Sequence, residues 1–245
     1  MNSLVIKGQN YDAPGDLEVQ NFKTGGAYRF VNQKRTGIVN EVIVHETVTS
    51  SAKATVAVLQ QRNLGVQLIV GGDGTVYQHG DLAEDFHWHA SEHNPHSVGI
   101  EVVNPYYPKF NPHNSVWTRT IPAPWADGKL YVVPAPAQAE ALCQLVTWLT
   151  SDLAVGLSIP PKFVGVSDQK ILMSRTPQSQ CGPGIYAHHY FGHMDGAWLV
   201  LYTWLRLQPQ LDPADAYETA CRLASGASKS IDLAEFYAQN PYLDS

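Results

Sequence analysis

The sequence contains no long apolar run and no amino-terminal segment of the kind that directs export. Over its 245 residues, no hydrophobic stretch approaches the roughly 18 residues that a membrane-spanning helix requires. Residues 1–7 lack the basic start and the long apolar core of a secretory signal peptide. We therefore expect no transmembrane segment and synthesis in the cytoplasm, so that any action outside the cell depends on another route of release.

Positive charge and cysteine are also scarce. The formal net charge is −6 at neutral pH, which argues against a protein that holds nucleic acid or another polyanion by general electrostatic attraction. The three cysteines, Cys143, Cys181 and Cys221, are an odd number without a close pair, and we interpret them as reduced thiols of a cytosolic chain. With 44% hydrophobic and 16% charged residues, the chain has the composition of an ordinary globular protein.

The stretch from Val42 to Thr49 predicts the central strand of the fold. Its β-branched residues would cover both faces of a sheet, as expected of a buried strand, and polar residues begin at His45. A histidine at this position either faces a site beyond the strand or is satisfied by a backbone carbonyl. The stretch alone does not decide between these two interpretations.

Turn residues and hydrophobic spacing predict the other elements. Asp73 and Gly74 lie between two short apolar runs and predict a β-hairpin. The predicted order is a lead-in with at most two short strands over 1–35, a helix from Ser51 to about Asn63, hairpin strands over 66–70 and 75–78, a strand over 98–103, a loop over 104–134, helices over 136–153, 196–207 and 213–226, and a short helix after Ile231.

Histidines and a carboxylate gather late in the chain. The eight residues from His188 to Asp195 contain three histidines and one aspartate. Imidazole and carboxylate ligands together suit a divalent transition metal, and a catalytic zinc site uses three protein ligands and leaves a fourth position for water. Together with His45, this segment supplies enough ligands for such a site without any thiolate.

Five motifs occur in an order that is typical of one family. They are Val44-His45-Glu46-Thr47, Gly72-Asp73-Gly74-Thr75-Val76-Tyr77-Gln78, Trp88-His89-Ala90, Ser97-Val98-Gly99-Ile100-Glu101 and the closing segment from Gly184 to Gly196. Over residues 36–205 the chain thereby resembles the zinc-dependent N-acetylmuramoyl-L-alanine amidases, which include phage lysozyme-like amidases, AmpD-type enzymes and peptidoglycan recognition proteins.

The resemblance implies an α/β fold, a single domain with a mixed central β-sheet flanked by helices on both faces. We expect an N-terminal extension over residues 1–35, the zinc amidase domain over 36–207 and a C-terminal helical extension over 208–245. Both extensions should pack on the central domain.

The resemblance also assigns roles to individual residues. It implies that His45, His188 and Asp195 hold one zinc ion, and that Glu101 is the general base that acts on the attacking water. His193 stands where many relatives carry a lysine that polarises the scissile carbonyl and stabilises the oxyanion. These roles agree with general chemistry, because a metal activates water, a partly buried carboxylate takes its proton, and a nearby donor meets the developing charge.

Alternatives remain open for each of these residues. His189 could be the ligand in place of His188, and His193 could be the third ligand in place of Asp195. Asp195 would equally suit the N-cap of the following helix. Glu101 could be a salt-bridged surface residue, although a carboxylate between apolar neighbours more often marks a raised pKa and a catalytic role.

Three further residues are expected beside the substrate. The resemblance places Trp88 and His89 along the substrate cleft, and Gln67 stands where relatives often carry His or Tyr on the hairpin. The other histidines, His79, His87, His93, His96 and His113, are interpreted as loop or surface residues.

The implied reaction is hydrolysis of the amide bond between N-acetylmuramic acid and L-alanine of the peptidoglycan stem peptide. The expected substrate is peptidoglycan or a muropeptide, in the setting of an endolysin that reaches the cell wall by a route such as phage lysis. Two alternatives are a module that binds wall fragments without cutting them, and a cytoplasmic enzyme that recycles muropeptides. A complete ligand set together with Glu101 favours the enzyme, since a pure binder has no need of it.

Overall fold

The computed structural model of the protein describes residues 2–30, 33–167, 169–174 and 182–243, which contain both β-strands and α-helices. The strands in these ranges are β1 (Ser3–Ile6), β2 (Gln9–Asp12), β3 (Val19–Asn21), β4 (Gln33–Lys34), β5 (Glu41–Glu46), β6 (Leu68–Val70), β7 (Val76–Gln78), β8 (Asp85–Phe86), β9 (Ser97–Val102), β10 (Thr120–Pro122), β11 (Leu130–Val132), β12 (Val166–Ser167), β13 (Lys170–Leu172), β14 (Gly184–Ala187) and β15 (Ser230–Asp232). The α-helices are α1 (Ala52–Gln61), α2 (Pro136–Leu149), α3 (Ala197–Leu207), α4 (Pro213–Ala224) and α5 (Leu233–Gln239). None of these helices is both long and apolar enough to cross a membrane.

A six-stranded mixed sheet forms the centre of the molecule. Its strand order is β14-β5-β9-β6-β7-β3. The first four strands are mutually parallel, β7 is antiparallel to β6, and β3 is parallel to β7. The predicted α/β fold with a mixed central sheet is confirmed.

The two faces of the sheet are covered by different helices. Successive side chains of a strand point to opposite faces, so Val44 lies on one face and Ile43 and His45 lie on the other. Val44 belongs to the main apolar core, which also contains the buried residues of α2, α3 and α4. On the other face, Leu59 of α1 packs in a second apolar cluster with Ile69 of β6. His45 therefore projects from the α1 face of the sheet, near the carboxyl ends of the parallel strands.

The N-terminal segment contains more structure than the sequence predicts. Strands β1 and β2 form a hairpin, β3 joins the central sheet beside β7, and β4 pairs with β8. The buried side chain of Gln78 accepts a hydrogen bond from the Val5 amide and donates one to the Val5 carbonyl, both at 2.8 Å. The expectation of at most two short strands before residue 35 is wrong, because this segment pairs with distant parts of the chain.

The predicted helices are present with shorter ends. Ser51 caps α1 by accepting a hydrogen bond from the Ala54 amide at 3.1 Å, and Asp212 caps α4 in the same way. The long loop over 104–134 contains the hairpin β10–β11. Cys143 and Cys221 are buried free thiols, as predicted, whereas Cys181 lies outside the described residues.

Candidate metal and catalytic site

Three parallel strands bring the first candidate residues together. In the register of the sheet, His45 of β5 lies beside Glu101 of β9, and Glu101 lies beside Ile69 of β6. Both polar residues come near the carboxyl ends of their strands, on the α1 face. The flanking residues Val44, Ile100 and Val102 pack in the main core on the opposite face, which fixes the positions of His45 and Glu101 in the sheet.

The adjacent strand β14 places His188 next to His45. Ala187, the last residue of β14, pairs with Val44 in parallel register, so the residue that follows it lies beside His45. The two imidazole rings are 4.1 Å apart between centroids, and His45 Nδ1 lies 2.9 Å from His188 Nδ1. His189, the alternative ligand, is fully buried with its ring 6.1 Å from that of Trp125, and it does not belong to the described group of ligand atoms that converge with His45.

Asp195 completes a cluster with the two histidines. Its Oδ1 atom lies 3.0 Å from His188 Nδ1, and its Oδ2 atom lies 3.9 Å from His45 Nδ1. The ligand atoms of the three residues lie within 4.8 Å of one another. Ligands of a tetrahedral zinc ion, at about 2.0–2.1 Å from the metal, are roughly 3.3 Å apart. The donor set and its spacing therefore fit Zn²⁺ with little movement.

A tight turn after Asp195 fixes the direction of its side chain. Gly196 has φ of 86°, and a Cβ atom there would lie 2.2 Å from the Val44 carbonyl oxygen. The Gly196 amide donates a hydrogen bond to Glu46 Oε2 at 2.8 Å, and the Glu46 amide donates one to Asp195 Oδ2 at 3.2 Å. This close approach of two backbone segments requires glycine at position 196.

The carboxylate of Glu46 anchors this turn from the interior. Besides the Gly196 amide, it accepts hydrogen bonds from Asn104 Nδ2 at 2.7 Å and from the Tyr131 hydroxyl. Burial raises the pKa of Glu46 to about 7, although these hydrogen bonds oppose that shift. No role for Glu46 was predicted from the sequence. Its signal was a carboxylate inside a strand that is otherwise buried on both faces.

Glu101 lies beside the cluster and has one carboxylate oxygen without a hydrogen bond from the described residues. Its Oε2 atom is buried and has no hydrogen-bond partner among them. Burial raises the pKa of Glu101 well above its usual value, and the neighbouring carboxylates of Asp195 and Glu46 raise it further. A buried carboxylate oxygen without a partner is costly unless a ligand, a water molecule or a cation compensates it. The alternative of a salt-bridged surface residue does not agree with this environment.

His193 lies at the edge of the cluster. Its ring stacks on that of His188, with centroids 3.9 Å apart and planes 13° from parallel. It is not a member of the three-residue group whose ligand atoms converge. The geometry therefore favours Asp195 over His193 as the third ligand and leaves His193 available at the wall of the cleft.

The three expected substrate contacts differ in position. Trp88 is 51% exposed, and both it and His89 line the cleft. His89 also contacts the cluster, because its Nδ1 atom lies 3.0 Å from His45 Nε2. Gln67 is fully buried, accepts a hydrogen bond from the Gly99 amide and donates one to the Asp85 carbonyl. The expectation that Gln67 contacts substrate is wrong, since its amide group is used to join strands inside the protein.

The five remaining histidines differ in exposure to solvent. His96 and His113 are exposed, as expected. His79 and His87 lie in loops, as expected, but they are buried, and His93 is buried in a short helical turn, so none of the three is a surface residue. His93 pairs with Glu41 at 2.7 Å below the site.

A cleft of about 520 Å³ opens over the cluster. Its walls come from the end of β5, from α1, from Trp88 and His89, and from the segment that carries His193 and Asp195. Tyr106 and Tyr107 close one side. The volume is within the range of sites that bind small molecules or chain segments. The arrangement can hold a divalent metal at the bottom of a cleft, with the Glu101 carboxylate beside it.

Comparison with known proteins places this site in a family. The sequence matches the Amidase_2 family model, described as N-acetylmuramoyl-L-alanine amidase, over residues 34–193. The matched segment contains His45, Glu101, His188 and His193 and ends two residues before Asp195. No curated protein matches the chain significantly.

Several solved structures are similar at low sequence identity. PGRP-Hd from Alvinella pompejana is 15% identical, with 59% of this chain and 83% of that chain covered and a TM-score of 0.40. The N-acetylmuramoyl-L-alanine amidase LysC from Clostridium intestinale URNW is 13% identical, with coverages of 70% and 82% and a TM-score of 0.42. The Staphylococcus aureus hydrolase AmiA, in complex with its ligand, is 13% identical, with coverages of 82% and 89% and a TM-score of 0.41. Because the family model matches well over half of the sequence, the chain belongs to the N-acetylmuramoyl-L-alanine amidase family of the Amidase_2 type.

Proposed function

We propose that the protein is a zinc-dependent amidase that hydrolyses the bond between the lactyl group of N-acetylmuramic acid and L-alanine of the stem peptide. The observation that supports this proposal is the convergence of His45, His188 and Asp195 beside the unpartnered Glu101 oxygen. Membership of the family agrees with it. Neither the ligand set nor the buried base is needed for binding alone.

The metal would be held by His45 Nδ1, His188 Nδ1 and a carboxylate oxygen of Asp195. When bound, Zn²⁺ supplies a Lewis acid that lowers the pKa of water and polarises the scissile carbonyl. His45 lies near the end of β5, His188 directly follows β14, and Asp195 precedes a tight turn, so neighbouring backbone segments position all three. Such rigid positioning suits a site that must keep the same geometry through a reaction.

Glu101 would act as the general base. Its carboxylate would accept a proton from the attacking water and then give that proton to the amine of the departing L-alanine. Burial and the carboxylates of Asp195 and Glu46 raise its pKa, and a carboxylate with a raised pKa is the stronger base when it is ionised. The position of Glu101 beside His45 in the sheet directs it at the same point of the cleft as the ligands.

His193 would donate a hydrogen bond to the scissile carbonyl oxygen as negative charge develops there. It lines the cleft and stacks on His188, so its ring is held close to the ligands without being one of them. A neutral imidazole has one N–H group, which is enough for this donation.

Trp88 and His89, which line the cleft, would contact the substrate. The exposed indole of Trp88 offers an apolar face, on which a sugar ring or an apolar part of the stem peptide can pack. We further propose that residues 36–207 carry the site, with 1–35 and 208–245 packed on it as extensions, and that its setting is cell-wall lysis.

The proposal is tested by mass spectrometry of purified peptidoglycan after incubation with the protein. We expect stem peptides with new free L-alanine amino termini, their loss when a chelator is present, and their return on addition of zinc. Intact glycopeptides that co-sediment with the protein would instead identify a recognition module. Fragments cut at another bond would overturn the assignment of the reaction.

A comparison of substrates tests the biological setting. Purified sacculi and a soluble muropeptide should be digested in parallel, with the rate expressed per scissile bond. Faster cleavage of sacculi agrees with a lytic enzyme, whereas exclusive cleavage of the soluble fragment would favour muropeptide recycling.

A further inference from the structure

A chain of hydrogen bonds leads from His45 back into the protein. His45 Nε2 lies 3.0 Å from His89 Nδ1, and His89 Nε2 lies 3.1 Å from Ser97 Oγ. The Ser97 hydroxyl in turn donates to the His93 carbonyl oxygen at 2.8 Å. These contacts begin at Nε2 of His45, whereas His188 and Asp195 lie near its Nδ1 atom. We call Ser97, His89 and His45 the Ser-His-His chain.

The ring of His89 is held in place by its surroundings. The Asn94 side-chain oxygen accepts hydrogen bonds from the His89 and Ala90 amides at 2.9 and 2.7 Å, which fixes the backbone of this residue. Gly99 lies under the ring, and a Cβ atom at that position would be 2.8 Å from His89 Nδ1. The absence of a side chain at Gly99 therefore leaves room for the His89 ring to contact both Ser97 and His45.

The proton positions along the Ser-His-His chain follow from the requirement that His45 Nδ1 has a free lone pair for the metal. His45 can bind a metal through Nδ1 only if its single neutral proton is on Nε2. That proton then points at His89 Nδ1, which must be an acceptor, so the proton of His89 is on Nε2. The Ser97 oxygen must accept it, and the hydroxyl proton is free to go to the His93 carbonyl, where a hydrogen bond of 2.8 Å is found.

We infer that Ser97 and His89 are positioning residues that hold His45 in the tautomer with a free Nδ1 lone pair and fix the plane of its ring. The inference deepens the proposed function, on which it rests. Partners behind a ligating histidine orient the ring and raise its basicity, and their loss typically lowers metal affinity 10–100-fold. It also gives His89 a second role besides lining the cleft.

The opposite assignment has a clear consequence. If the Ser97 hydroxyl donated to His89 Nε2, the proton of His89 would be on Nδ1 and would point at His45 Nε2. The proton of His45 would then be on Nδ1, between His45 and His188, at the place where the metal would bind. The two assignments therefore differ in which nitrogen of each ring carries hydrogen, and they can be distinguished without any substrate.

The first test is nitrogen-15 NMR of the histidine side chains in the full-length, metal-free protein. We expect protonated Nε2 and unprotonated Nδ1 for both His45 and His89, and a scalar coupling between His45 Nε2 and His89 Nδ1 through the shared proton. A proton on Nδ1 of His89 in the native protein would overturn the inference.

The second test is zinc affinity, measured by competition with a chromophoric chelator. Ser97→Ala should weaken zinc binding 10–100-fold and remove the coupling, while Ser97→Thr, which keeps the hydroxyl, should restore both. Ser228→Ala, at an exposed serine after α4, is the matched control and should leave both unchanged. If Ser97→Ala folds normally and binds zinc like the native protein, Ser97 is not a positioning residue.

These measurements separate the inference from the proposed function. A protein with the expected tautomers and affinities that leaves peptidoglycan intact would retain the Ser-His-His chain and lose the amidase assignment. Cleavage of peptidoglycan by a protein with the opposite tautomers would retain the amidase assignment and overturn the role of the Ser-His-His chain.

Discussion

His45 Nδ1 and His188 Nδ1 lie 2.9 Å apart at the carboxyl ends of two adjacent parallel strands. Two imidazole nitrogens that each present a lone pair repel each other, so this contact requires a shared proton or a cation. Burial lowers the pKa of His45 well below its usual value, and the neighbouring His188 lowers it further. With the carboxylate of Asp195 beside both rings, the pair is arranged to receive a cation.

The first prediction concerns the two histidine ligands. His45→Ala and His188→Ala should each abolish stoichiometric zinc binding, because either change leaves only two of three ligands. Elemental analysis of the purified variants measures this. His113→Ala, at an exposed histidine outside the cluster, is the control and should keep one zinc per chain. A zinc content near one in either cluster variant would show that the ligands are assigned wrongly.

The second prediction separates the roles of Asp195 and His193. Asp195→Ala should lose zinc, whereas His193→Lys should keep zinc and retain activity, because a lysine supplies a donor without being needed as a ligand. His193→Ala should also keep zinc but lower kcat roughly 10²-fold or more, the usual cost of removing an oxyanion donor. Loss of zinc from His193→Lys would make His193 the third ligand.

The third prediction concerns the base. Glu101→Gln should bind zinc with native stoichiometry and lower kcat by about 10²–10⁴-fold, because the amide cannot accept the proton of the attacking water. The variant keeps the shape of the side chain and should unfold at a similar temperature or a higher one, since it removes a buried charge. Turnover near the native rate would exclude Glu101 as the base.

The fourth prediction concerns the turn that positions Asp195. Gly196→Ala should destabilise the fold by roughly 3 kcal/mol or more, because its Cβ atom would collide with the Val44 carbonyl and because φ is positive. Gly226→Ala is a matched control with φ of 84° and open space around the Cβ position, so it bears the backbone strain alone, about 1–2 kcal/mol. Chemical denaturation of both variants gives the difference, and equal losses would contradict the collision.

The fifth prediction is a pH dependence of stability. Burial lowers the pKa of His79 to about 4. Burial is also the main reason that the pKa of His87 is lowered to about 3. In the unfolded chain these histidines have the ordinary pKa of about 6.5 and bind protons as the pH falls below 7, whereas in the folded protein they stay neutral. The free energy of unfolding therefore decreases as the pH drops from 7. Each group should contribute on the order of 2 kcal/mol of loss between pH 7 and pH 5.

A single variant isolates the contribution of His79. His79→Asn keeps a donor for the Tyr28 carbonyl, which His79 Nδ1 reaches at 2.6 Å, and removes the titrating group. Its free energy of unfolding should depend less steeply on pH than that of the native protein, by about 2 kcal/mol over the same interval. Parallel curves would mean that His79 is accessible to solvent in the native state.

The sequence was sufficient to predict the secondary-structure elements that depend on residues close together in the chain. The β-branched run before His45, the hairpin at Asp73-Gly74 and the cap at Asp212 each depend on residues close in the chain, and each is present. The residues of the cluster were named because they occur in a recognisable order along the chain. Whether they bind zinc and act in catalysis stays a prediction.

Long-range packing explains what the sequence did not show. Strand β3 is three residues long and pairs with β7, more than fifty residues away, and no local pattern encodes that register. Gln67 was expected at the substrate because of its place on the hairpin, but the register of the neighbouring strand turns its amide toward Gly99. Glu46 was missed because its partners, Asn104, Tyr131 and Gly196, come from three distant segments.

Hydrolysis of a defined N-acetylmuramoyl peptide by the zinc-loaded protein, in water enriched in the heavy oxygen isotope, shows which carbonyl the water attacks. Mass spectrometry of the two products should place one heavy oxygen atom in the lactyl carboxylate of the muramic acid and none in the peptide, because water attacks the lactyl carbonyl. Heavy oxygen in the peptide, or an intact substrate despite bound zinc, would contradict the proposed reaction.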